Sequence, residues 1–199
     1  MKKILLGLFV LSTLSMAATE KGTFSNRIGI NIANKGTEKW DDSVIDKNLD
    51  ENVYDESFGI NYKLLYNVTD RFRWGAELGY DALAYSDDFS KALDESDDYI
   101  GLLTYGVTGE YDVYKNDQLS VYLTGSIGGA YNEYEVDAII DKFTLTAKAY
   151  AKLGLGTRFE NGLGLEIGSK AVAYKLDSNH YGSDDMTKQQ YYFEANFTF

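Results

Sequence analysis

Polarity alternates with a period of two along most of this chain, which predicts strands with one apolar and one polar face. Eight such segments are legible, at about 23–33, 57–68, 72–85, 98–113, 119–132, 143–157, 163–174 and a last one running to Phe199. In the third, Phe72, Trp74, Ala76, Leu78, Tyr80, Ala82 and Ala84 alternate with Arg73, Gly75, Glu77, Gly79 and Asp81. In the sixth, Phe143, Leu145, Ala147, Ala149, Ala151, Leu153 and Leu155 alternate with Thr144, Thr146, Lys148, Tyr150 and Lys152. In the last, Tyr191, Phe193, Ala195, Phe197 and Phe199 alternate with Glu194, Asn196 and Thr198. Each segment reaches the roughly 9–11 residues that a tilted strand needs to cross a bilayer.

The connections alternate in length. Thr69-Asp70-Arg71, Lys115-Asn116-Asp117-Gln118 and Glu160-Asn161-Gly162 are short, and the last contains the Asn-Gly hairpin signal. Long connections follow the first, third, fifth and seventh segments. Charge decides which face is which. No apolar stripe carries a charged residue, whereas the opposite face carries Arg27, Lys63, Arg73, Glu77, Asp81, Glu110, Lys148, Lys152, Glu166, Lys170 and Glu194. A soluble ligand-binding calyx would turn its apolar stripe inward and these charges to water. A wall facing lipid requires the reverse, because a charge costs roughly 2–4 kcal/mol on the lipid face near the midplane. The expected fold is therefore all-β: an eight-stranded antiparallel up-and-down transmembrane β-barrel whose lumen holds these eleven side chains as an ion-pair network.

The chain starts Met1-Lys2-Lys3, continues with an apolar run from Ile4 to Leu14, and reaches Ser15-Met16-Ala17-Ala18. This is the layout of a secretory signal peptide. Residues 1–18 are expected to be that signal and 19–199 the barrel domain. There is no Cys, so neither disulfides nor thiolate metal sites are available. There is no Pro, with 19 Gly and 17 Tyr, which suits a barrel with aromatic girdles. Taken with the alternating strands, the alternating connection lengths and the terminal Phe199, the chain resembles the small eight-stranded bacterial outer-membrane β-barrels, OmpX and the transmembrane domain of OmpA among them. The resemblance covers the whole mature chain. It implies the outer membrane as location, membrane lipid and the barrel assembly machinery as partners, and Tyr191, Phe193, Phe197 and Phe199 as the C-terminal assembly signal. The resemblance implies much less about the job, since small barrels serve as adhesins, anchors, narrow pores and occasionally enzymes.

Charge adds one further expectation. The formal charge is −12, and the long connections 34–57, 86–98, 133–142 and 175–188 carry −5, −5, −3 and −1. Strands and turns balance, with ten acids against ten bases after residue 18. The acidic loop surface excludes nucleic acid as a partner and suits a cationic or cell-surface one. Asp41-Asp42, Asp87-Asp88, Asp94-Glu95 with Asp97-Asp98, and Asp184-Asp185 lack the spacing of a Ca²⁺ loop, so neither metal nor cofactor is assigned. His180, the single histidine, lies near Ser178, Ser183 and Asp184, but a polar loop supplies such neighbours by composition alone. No catalytic residue is assigned. Trp40, Tyr134, Val136, Ile139 and Ile140 are the candidate loop contacts. The expected role is a monomeric, non-enzymatic surface protein with a charge-plugged lumen, the alternative being a narrow porin-like channel.

Overall fold

The computed structural model describes residues 20–40, 54–85, 99–137, 142–178 and 182–199. The described residues form ten strands: β1 (Phe24–Ala33), β2 (Thr37–Trp40), β3 (Tyr54–Asn67), β4 (Phe72–Tyr85), β5 (Tyr99–Lys115), β6 (Leu119–Tyr131), β7 (Glu133–Asp137), β8 (Lys142–Phe159), β9 (Leu163–Ser178) and β10 (Gly182–Thr198). Eight of them pair antiparallel in the order β1-β3-β4-β5-β6-β8-β9-β10, and β10 returns to β1 from Arg27↔Thr198 to Ala33↔Tyr192. The wall is a closed eight-stranded barrel. Closure removes the open sheet edges that lipid could not hydrate.

The three short turns share one device. A side-chain oxygen accepts the main-chain N–H groups that the tight reversal leaves over. Thr69 Oγ1 accepts from Arg71 and Phe72, Asn116 Oδ1 from Gln118 and Leu119, and Asn161 Oδ1 from Leu163. Gly162 has φ +85°, and a Cβ there would lie 2.3 Å from the Thr198 carbonyl oxygen, so only glycine fits.

The lipid-facing positions are the predicted apolar ones. Phe24, Tyr66, Phe72, Trp74, Tyr111 and Phe159 are exposed near the short-turn end, and Phe58, Tyr80, Tyr99, Tyr131 and Tyr191 toward the other. These are the two aromatic girdles of a membrane barrel, with Ile127, Leu153, Leu155, Leu165 and Ile167 between them. Phe199 differs from the rest of its stripe. The strand ends at Thr198, and Phe199 is buried, stacked on Phe197 at 6.0 Å while its main chain bonds to Asn26.

At the long-loop end the strands run further than their alternation suggests. Residues 37–40 and 133–137, expected in loops, are strands β2 and β7. They continue β1 and β6 and pair with β10 and β8. Most of 175–188 belongs to β9 and β10. The β1–β2 junction carries one extra residue, because Ala33 opposes Tyr192 and Thr37 opposes Gln189. Gly36 absorbs it with φ +72°, where a Cβ would meet the Gln189 carbonyl oxygen at 2.1 Å. Above the membrane the outer face meets water, so the polarity inverts. Met186, Tyr174 and Val172 are buried inside while Asp185 and Thr187 are exposed outside.

Candidate functional site

The barrel interior is filled by side chains, as expected for a wall of this size. Ten of the eleven predicted lumen residues, Arg27, Lys63, Arg73, Glu77, Asp81, Glu110, Lys152, Glu166, Lys170 and Glu194, are buried inside the wall. They lie in layers. Nearest the short turns, Arg73 and Arg158 both donate to Asp112, Arg158 at 3.1 Å, and Arg158 also donates to Ser120 at 3.1 Å.

In the next layer Arg27 grips Glu110 with two parallel hydrogen bonds of 2.6 and 2.8 Å, the fork geometry that makes an arginine–carboxylate pair strong. Lys63 stands 3.7 Å from Glu110 and 3.6 Å from Glu166. Tyr122 fills the same level. Its hydroxyl donates to Glu166 at 3.1 Å, and its ring lies 4.7 Å from the Arg27 guanidinium and 5.5 Å from that of Arg158. Gly156 makes this fit, since a Cβ there would lie 2.3 Å from the Tyr122 ring.

Above it, Lys152 is shared among Glu194 at 2.9 Å, Glu166 at 3.5 Å and Glu77 at 3.6 Å, and lies 4.4 Å from the Tyr192 ring centroid. Glu77 accepts from Ser126, and Glu194 from Asn61 at 2.7 Å. Then Lys170 meets Asp81 at 2.8 Å. A cavity of about 20 Å³ lies between these two levels, lined by Asn61, Glu77, Asp81, Tyr150, Lys152 and Lys170 among others. It is the size of a single water.

Two findings depart from the sequence expectation. Lys148 is exposed on the outer wall and takes no part in the network. The register slips between Ala147 and Ala149, where β8 carries one more residue than β9. This bulge turns Lys148 outward and places Leu145 and Ala147 inside. Second, the lumen is not polar throughout. Leu83, Ile100, Leu102, Ala130, Leu145, Ala147, Val172, Tyr174 and Met186 form an apolar cluster inside the long-loop end. A buried ion pair, Lys188 to Glu38 at 3.0 Å, joins β10 to β2 there.

Asp112 and Arg158 complete the network although the predicted set omits them. Asp112 stands on the predicted inner face of its strand. Arg158 has the parity of Lys152, and extending the sixth segment by one residue would have revealed it. Tyr191, Phe193 and Phe197 sit on the lipid-facing side of β10. Of the candidate loop contacts, Trp40 is the end of β2 opposite Met186, and Tyr134 and Val136 lie in β7 opposite Leu145 and Phe143. Ile139, Ile140 and His180 lie outside the described residues, as do Asp41-Asp42, Asp87-Asp88 and the acids 94–98.

The family model for the outer membrane protein beta-barrel domain matches residues 4–199. No curated protein matches the sequence. Among solved structures, the chain is similar to the outer membrane protein OprG from Pseudomonas aeruginosa, at 11% identity, covering 93% of this chain and 99% of that one, with a TM-score of 0.46. Ail, the attachment invasion locus protein of Yersinia pestis, is 16% identical over 90% of this chain and 100% of its own, with a TM-score of 0.44. The N-terminal β-barrel domain of Pseudomonas aeruginosa OprF is 14% identical over 90% and 98%, with a TM-score of 0.40.

Proposed function

We propose, because this chain belongs to the outer-membrane protein β-barrel domain family and sits in the lipid of the bacterial outer membrane, that it is a non-enzymatic, non-conducting barrel that presents its long loops at the cell surface. The observation that carries the non-conducting part is the double closure of the lumen. A network of six cations and six carboxylates crosses the bore from Asp112 to Lys170, and an apolar cluster around Leu102 and Tyr174 covers it. An ion would have to break buried pairs, which costs roughly 3–5 kcal/mol for each partner stranded, and then pass the apolar cluster. In this reading residues 1–18 are an export signal, the short turns and both termini face the periplasm, and the acidic loops face outward.

The surface-binding part rests on charge. The long connections hold the whole negative excess of the mature chain, −14, so the presented surface suits cationic or divalent-bridged partners. Single-channel conductance of the refolded barrel in a planar bilayer tests the proposal. A silent membrane is expected. Reproducible openings altered by Glu77→Gln or Lys152→Met would replace it with the narrow-channel reading. For the loops, exchanging all four for short turns is expected to abolish adhesion to cells or matrix; unchanged adhesion overturns the binding role.

A further inference from the structure

The charges of the lumen balance as a whole but not layer by layer. Lys170 has Asp81, and Arg27 and Lys63 have Glu110 and Glu166. Lys152 is outnumbered by Glu77 and Glu194. The matching cationic excess lies at the short-turn end, where Arg73 and Arg158 share the single carboxylate of Asp112. Glu110 attracts both at 3.9 Å from Arg73 Nε and 3.8 Å from Arg158 Nη1, but its oxygens already accept from Arg27 and it accepts no hydrogen bond from either arginine.

The hydrogen-bond inventory shows the same excess. Arg73 Nη1 and Arg158 Nη1 are buried donors with no acceptor among the described residues. Both guanidinium side chains are at least 95% buried. An unmatched buried charge is costly, and so is a buried donor without an acceptor. One ligand class relieves both, a small anion. The approach is from the periplasmic turns: Arg158, though not Arg73, lines a mouth of about 470 Å³ at this end, together with Ser120, Thr198 and the two turns around Asn116 and Asn161, and Arg73 lies behind it. Its rim carries Lys115 against Asp117 and Glu160, so the attraction comes from depth and not from the entrance.

We propose that Arg73 and Arg158 hold a small inorganic anion at the short-turn mouth of the barrel. Guanidinium donors suit a tetrahedral oxyanion such as phosphate, which can accept from both forks at once. Bound there, the anion would neutralise the lowest layer and leave Asp112 as the spacer between the two arginines.

The test is calorimetric titration of inorganic phosphate into the barrel refolded in a non-ionic detergent. No lipid phosphate is then present, and ionic strength is held with the sodium salt of a bulky sulfonate. Saturable one-to-one binding is expected. Arg158→Gln or Arg73→Gln should weaken it about tenfold or more, the value of one charge-assisted hydrogen bond. Arg71→Gln, in the exposed turn, should leave it unchanged. Asp112→Asn separates binding from mere structural damage, since removing the shared carboxylate increases the cationic excess and should tighten phosphate binding. Absence of binding at millimolar phosphate overturns the proposal. So does Arg158→Gln binding like the parent, or Asp112→Asn binding more weakly than it.

Discussion

Replacing Lys152 by methionine tests whether the lumen network stabilises the barrel, and Lys148 supplies the control four residues earlier on the same strand. Lys152 is 8% exposed and its ammonium lies within 3.6 Å of Glu194, Glu166 and Glu77. Methionine keeps most of the length of the side chain and removes the charge. Glu166 retains Lys63 at 3.6 Å and Arg27 at 3.7 Å, but among the described residues Glu194 keeps only the amide donors of Asn61 and Asn196, and Glu77 the Ser126 hydroxyl. Stranding one partner of a buried pair costs roughly 3–5 kcal/mol, and the surviving hydrogen bonds place the expected loss near the lower bound, at about 3 kcal/mol. Lys148→Met should change stability by less than about 0.5 kcal/mol, as surface substitutions do. Lys152→Met with Glu194→Gln should recover part of the loss, since the buried carboxylate left without a cation is gone. The assay is urea unfolding of the barrel in lipid vesicles, followed by the fluorescence of Trp40 and Trp74, with unfolding slopes compared to check that the end states are unchanged. Equal losses at Lys148 and Lys152, or a Lys152→Met loss below about 1 kcal/mol, would refute the reasoning.

Leu102→Ala removes a fully buried side chain from the apolar cluster and should cost about 2–5 kcal/mol in the same assay, whereas the outward-facing Leu103→Ala should cost less. Leu153 lies midway along the lipid-facing stretch of β8, so Leu153→Lys should cost roughly 2–4 kcal/mol and Phe159→Lys, at the strand end, about 0–1 kcal/mol; a cost independent of depth would contradict the placement in the bilayer. Gly162→Ala forces a side chain into a backbone with φ +85° and against the Thr198 carbonyl, and should lower stability by about 1–3 kcal/mol, measured by the temperature at which the folded band is lost on a gel.

Alternation was enough to predict the wall because lipid imposes the same demand on every strand. Each outward side chain in the membrane must be apolar, and each such demand is local to its own strand. The third segment is the clearest case, predicted at 72–85 and observed as Phe72–Tyr85. The charged face could likewise be read as interior, Lys148 of β8 excepted, because no other place accommodates Arg27 or Glu166 at membrane depth. Beyond the membrane that demand ends. Water outside and apolar side chains inside reverse the pattern, so β2, β7 and the ends of β9 and β10 lost their signature and were expected to be loops.

In β8 the reversal left no trace at all. The bulge at Lys148 shifts the facing of every residue before it by one, at the level where the polarity of the surroundings also inverts. The two inversions cancel, and Phe143 to Leu155 reads as one unbroken alternation although Leu145 and Leu153 face opposite ways. A bulge is a count of residues on one strand against its neighbour, which no single strand's pattern contains. Pairing across the bore is hidden for a related reason. Arg27 and Glu110 are 83 positions apart, and only closure of the sheet brings them together. Within the membrane span, the sequence by itself determined which residues face lipid, because that environment acts on each position separately. The tertiary structure alone decided which charges pair, which two arginines share one carboxylate, and where the lumen turns apolar, because each of these depends on the register between strands.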